Sequence, residues 1–321
     1  MDTTITTESS QPTRSVGVLL VAAAAVGFGL NPVFAQVAFE ADVPPEVTTL
    51  ARYLIPALLV SPWLRWWRRR VWKLGVVALS AGLFNGLGTF AYFRALDQLP
   101  APTVLAVYYT FPAFAVVFGR VFFGVRLTMA STVAAAAVVC GAAVAIGPTG
   151  VNASQLPLLL AAVAAPVAWS ILLLLITTVL HPVPLAPLVA MVFLGASMAI
   201  IPFVIATGAI SWSPTISGAG WLLVLGTVGV LIPALLVTAG GPVAGPTTTG
   251  LVGAFEFVVA FGGSWLVFGD ALGIRTLFGA VLLIAGVAIA ATTPSTDLKP
   301  REARDNLATG GPVAARRALR S

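Results

Sequence analysis

Long apolar stretches alternate along this chain with short breaks at Pro, Gly and clustered charge. An α-helix rises 1.5 Å per residue, so about 20 apolar residues cross a hydrocarbon core of about 30 Å. Ten stretches meet this length and predict helices over 15–38, 46–64, 73–93, 102–122, 129–147, 155–179, 185–207, 219–239, 246–267 and 275–292. A polar tail over 1–14 precedes them, and a basic tail over 293–321 follows. The first stretch exceeds a signal-peptide core of roughly 7–15 residues, so it reads as a retained helix.

Composition supports the same picture. The 321 residues are 59% hydrophobic and 9% charged, with mean hydropathy +1.01. Soluble domains carry roughly a quarter charged residues, so this surface must face lipid. The net charge of +6 is an orientation signal rather than a nucleic-acid footprint, because no basic–aromatic RNA-binding pattern accompanies it. Arg65, Arg68, Arg69, Arg70 and Lys73 crowd the second loop, and Arg14, Arg126 and the basic tail fall on that same side if the spans alternate. Glu40, Asp42, Glu46, Asp97 and Asp270 fall on the other side, with Arg94 and Arg275. Both termini are therefore expected in the cytoplasm, with the protein in the cell (inner) membrane. Cys140 and His181 are each the sole residue of their kind, so no internal disulfide, metal site or cofactor is expected.

A shift of 145 residues lays "FPAFAVVFGRVFFGVRLT" from Phe111 onto "EFVVAFGGSWLVFGDALG" from Glu256. Gly124 meets Gly269, and each is followed three residues later by Leu (Leu127, Leu272). Each unit would hold five helices, one repeat over 15–147 and the other over 155–292. An odd number inverts the second unit. The expected fold is thus an all-α membrane protein with ten transmembrane helices in two inverted five-helix repeats. Such repeats suit alternating access around a site at the membrane midplane.

Polar residues at membrane depth mark the candidate pathway. Between Arg126 and Glu256 the chain carries no Asp, Glu, Lys or Arg. A carboxylate near mid-bilayer is costly unless paired, hydrated or protonated, so Glu256 is either a proton or substrate-amine site, or a hydrogen-bonded brace. Arg52 could neutralise Glu256, bind a substrate carboxylate, or snorkel to loop carbonyls. Asn31 and Asn85 are helix glue or substrate contacts. Tyr108 and Tyr109 precede Pro112, which could kink its helix; Trp169 and Thr248 are weaker candidates. "GLFNGLG" from Gly82 reads as close helix packing rather than a nucleotide loop.

These features resemble the EamA family of the drug/metabolite transporter superfamily over roughly 15–292. "GFGLNPVFAQ" is similar to the family's W-G-x-N pattern, with Phe28 where Trp is common. Arg52 in "LARYLIPALL" matches the family arginine. "YFRALDQLPAPT" resembles the end of its third span, and the two stretches aligned above resemble the closing motif of its fourth span and the second copy of that motif. Val125 and Asp270 depart from the pattern. So does Phe257, which stands where the second copy often has Pro and so predicts a ninth span without a kink. The resemblance implies ten helices, cytoplasmic termini and a cavity lined mainly by spans one, three, four, six, eight and nine. The expected function is secondary transport of small metabolites, with amino acids or related compounds as the class and efflux as the direction. The partners are the lipid bilayer and a small-molecule substrate, without nucleic acid; proton coupling and a homodimer are open. A non-transporting scaffold and a channel are the alternatives. An enzyme is not expected: no Ser/His dyad or pair of membrane aspartates is present.

Overall fold

The chain's regular structure is set by where Pro and Gly interrupt its apolar runs. A computed structural model describes residues 14–66, 72–99, 104, 107–124, 128–146, 153–269 and 273–292. The polar and basic tails, positions 67–71 of the basic loop, Arg126 and Asp270 lie outside the described residues. Every regular element among those described is helical. The first half holds α1 (Arg14–Glu40), α2 (Pro45–Val60), α3 (Trp72–Gln98), α4 (Phe111–Phe123) and α5 (Met129–Ile146). The second holds α6 (Leu156–Ala162), α7 (Ala164–Thr178), α8 (Leu185–Ala206), α9 (Ile216–Gly226), α10 (Ile232–Ala244), α11 (Pro246–Gly253), α12 (Glu256–Phe268) and α13 (Ile274–Thr292).

Among the described residues, seven helical stretches are long and apolar enough to cross a membrane. Predicted spans four, five and ten coincide with the shorter apolar helices Phe111–Phe122, Met129–Gly141 and Leu277–Gly286. Span four is divided at a turn: Val104, Val107 and Tyr108 are helical, Tyr109 and Thr110 form the turn, and Pro112 sits in the first turn of α4. Pro lacks an N–H that a first turn leaves unpaired anyway, so Pro112 fits the start of the second segment of this divided span.

The 145-residue shift carries over to the backbone. Helices α4 and α12 both span 13 residues and begin at the aligned Phe111 and Glu256. Both end on left-handed glycines, Gly124 at φ 67° and Gly269 at φ 72°. A side chain at either would strain the cap.

Spans six, eight and nine are interrupted as well, span six at Val163 between α6 and α7. Span nine divides into α11 and α12 although Phe257 is not Pro. The break is held by short-range bonds: Phe255 N–H to Val252 O at 3.0 Å, and Phe257 N–H to Ala254 O at 3.1 Å. Three-residue spacing tightens the turn without help from proline. Span eight is broken by a π-turn, Thr227–Leu231, between α9 and α10. Pro233 cannot donate to the carbonyl four residues back, that of Gly229. The side chain of Asn31 supplies the missing donor, its Nδ2 lying 3.3 Å from Gly229 O.

Glycine brings the two halves together. A Cβ added at Gly82 of α3 would lie 1.9 Å from the carbonyl oxygen of Val192 in α8, and one at Gly195 would lie 2.0 Å from that of Leu79. Lipid tails give no hydrophobic reason for helices to associate, so such close backbone contact supplies the attraction. Between α1 and α10 the same device recurs at Gly17 and Gly240.

Candidate functional site

The helices enclose a cavity of about 580 Å³. Its wall comes from α1, α3, the Tyr108–Tyr109 segment before α4, α7, the α9–α10 segment and α12, with α2 and α8 in addition. At the end near the α1–α2 turn it is lined by Pro32, Gln36 and Phe39, which are exposed. Its other end is closed. Leu172, Ile176 and Leu188 are 2%, 5% and 1% exposed there. Phe28 and Trp169 cross edge-to-face at 5.5 Å and pack on a plug that includes Val21, Ala24, Leu173 and Val237. Further on, a Cβ at Gly17 would lie 2.9 Å from Gly240 O. Finally Arg14 Nη2 donates to Thr248 Oγ1 at 3.0 Å.

The cavity brings together Glu256, Arg52, Asn31, Asn85, Tyr108, Tyr109 and Trp169. Thr248 is not among its lining residues; it belongs to the closure instead. Local structure explains how each polar group is held. Glu256 is the first residue of α12, so the positive end of that helix favours its charge. The residue is 6% exposed, and its Oε1 is buried without a hydrogen-bond partner. The Tyr108 hydroxyl approaches the carboxyl group as a hydrogen-bonding neighbour. Tyr109 packs edge-to-face on Phe257 at 4.7 Å, which fixes the wall beside Glu256.

Arg52 makes neither of the two protein contacts its sequence position suggested. Its Nε is buried and unpartnered, it makes no ion pair with Glu256, and no loop carbonyl receives its donors. Its guanidinium carbon lies 5.5 Å from the centroid of the Tyr53 ring. That ring is pinned by Tyr53 Oη to Thr89 Oγ1 at 2.7 Å, and Asn85 Nδ2 donates to the same oxygen at 3.4 Å. Asn85 therefore orients the platform beside Arg52. Asn31 satisfies Gly229, as described above. Asn31→Leu leaves that carbonyl orphaned and should cost about 1 kcal/mol, seen as a melting point a few degrees lower in detergent.

Several lining residues carried no signal in the sequence. Tyr53 and Tyr92 sat beside arginines within ordinary amphipathic ends, and Thr238 looked like any helix threonine. Ser170, by contrast, is structural, its hydroxyl directed at Phe111 O (2.8 Å) and Pro166 O (2.6 Å).

The arrangement is a closed-bottomed polar chamber inside an apolar bundle. It holds one carboxyl and one guanidinium side chain that make no direct ion pair, and no group of three or more potential metal ligands occurs among the described residues. Comparison with solved structures finds a crystal structure of similar fold at TM-score 0.72 and 23% identity, covering 87% of this chain and 98% of the other. None of the curated, functionally described proteins matches in sequence. The sequence model of the EamA-like transporter family matches residues 15–147 and again 156–292. The chain belongs to that family, and is a multi-pass membrane transporter of the drug/metabolite type.

Proposed function

We propose that this transporter carries small zwitterionic metabolites of amino-acid type by alternating access, with efflux as its working direction. The observation that supports this reading is that one cavity holds Arg52, whose buried Nε has no partner, and Glu256, whose buried Oε1 has none, with no ion pair between them. Desolvated charges left single in a membrane are costly. A ligand bearing a carboxylate and an ammonium satisfies both at once and brings no net charge into the bilayer. Tyr108 and the Tyr53 ring add one hydrogen-bonding and one cation-facing surface.

The reading also takes the protein as ten spans in two inverted repeats with both termini cytoplasmic. The cavity then opens away from the cytoplasm, and the Arg14–Thr248 contact with the Gly17–Gly240 approach is the closed cytoplasmic gate. Closure at one end by several layers favours a carrier over a channel. Transport would alternate this gate with one at the α1–α2 end, where Trp212 Nε1 donates to Asp42 O at 3.0 Å. Protonation of Glu256 is one route for coupling to a proton gradient, and the substrate's own gradient is the other.

The test is counterflow in proteoliposomes. Arg52→Gln should raise KM for a zwitterion by about tenfold to a hundredfold, the loss of one charge-assisted bond, while an analogue lacking the carboxylate is unaffected. Because Arg52 and Glu256 do not touch, exchanging them should not rescue the single variants. Equal KM values for wild type and Arg52→Gln would remove the carboxylate site.

A further inference from the structure

Most hydroxyls buried in these helices return to their own backbone, and Thr89 and Thr248 are paired with Tyr53 and Arg14 instead. Thr177 Oγ1 donates to Leu173 O at 2.9 Å, Ser197 Oγ to Phe193 O at 2.8 Å, and Thr249 Oγ1 to Gly245 O at 2.7 Å. That is how a Ser or Thr in a helix is ordinarily satisfied inside a membrane. Thr238 of α10 breaks the pattern. It is 8% exposed, it lines the cavity, and its hydroxyl makes no hydrogen bond to the protein. Its oxygen is also not among the buried orphan atoms, so it is reached from the cavity itself.

Its position is the closed end. Gly241, one turn further along α10, lies against Thr177 of α7. On α7 and α8 the cavity wall includes Leu172, Ile176, Leu188 and Val192, which are aliphatic and buried. Thr238 therefore offers a free hydroxyl within an apolar pocket, on elements other than those that carry the two charges. An apolar group filling that space would displace water from the hydroxyl and leave it unpaired, which is penalised. A ligand group that donates or accepts a hydrogen bond would not be. Pockets with a buried polar group discriminate strongly against ligands that leave it unmatched.

We propose that Thr238 is the specificity-determining residue of this transporter. It hydrogen-bonds a hydroxyl or amide at the end of the substrate's side chain, while Arg52 and Glu256 hold the charged head. This assignment rests on the zwitterion reading above.

The experiment uses near-isosteric pairs in proteoliposome counterflow with the full chain: threonine against valine, and asparagine against leucine. Wild type should favour the polar member of each pair by about tenfold in 1/KM. Thr238→Val should bring both ratios to one or invert them, and Thr238→Ser should restore them. Should valine disturb the packing, Thr238→Ala gives the same ratio readout. Equal uptake of both members by wild type, or polar preference that persists in Thr238→Val and Thr238→Ala, overturns the assignment and leaves the zwitterion reading standing. If folded wild type moves none of the four, the zwitterion reading fails and this assignment fails with it.

Discussion

Replacing Glu256 by Gln should reduce transport at least about a hundredfold while the protein still inserts, folds and melts within a few degrees of wild type. Gln keeps the size of the side chain and can accept the Tyr108 approach seen with the acid. It removes only the negative charge and the capacity to take up a proton. A buried carboxylate whose Oε1 is unpartnered contributes nothing to stability that the amide lacks. The check is counterflow together with thermal unfolding on the same preparation. A well-folded Gln variant with full transport would make Glu256 a brace, the other role its sequence position allowed.

An equally large effect is expected on assembly from the α3–α8 seam. Gly82→Leu should yield little folded protein, and even Gly82→Ala should cost several kcal/mol, because its Cβ would lie 1.9 Å from a backbone oxygen that cannot rotate away. Gly195 is constrained in the same way from the other side. The comparison is Gly262, where a Cβ meets nothing within 4 Å; Gly262→Leu should express and melt like wild type. Size-exclusion profiles and melting curves in detergent decide the matter. A monodisperse, stable Gly82→Leu would mean that the seam is not tight.

Much of this was legible in the chain. The 145-residue shift aligned Phe111 with Glu256 and Gly124 with Gly269, the residues where α4 and α12 begin and are capped, although the spans themselves were expected to start earlier; the glycines were legible because a left-handed cap favours glycine. Polar residues at membrane depth pointed to the cavity, since lipid penalises a polar group wherever it has no partner. The failures also have physical causes. Span eight bends where Pro233 frees the carbonyl of Gly229, but the donor that rescues it is Asn31, far away in sequence. Span nine bends without proline, through three-residue hydrogen bonds invisible to hydropathy. Thr248 resembled a lining residue yet bonds Arg14 at the closure. Thr238 was missed because a helix threonine normally satisfies itself, and only the structure shows that this one does not.

The central claim is that one cavity recognises both charges of a zwitterion. The most direct measurement is competition in proteoliposome counterflow, using an amino acid that the protein carries, its methyl ester and its des-amino acid. The account predicts saturable exchange inhibited by the zwitterion, at least about tenfold weaker inhibition by either single-charge analogue, and loss of ester discrimination in Arg52→Gln. Equal inhibition by all three compounds, or flux that does not saturate, would contradict it.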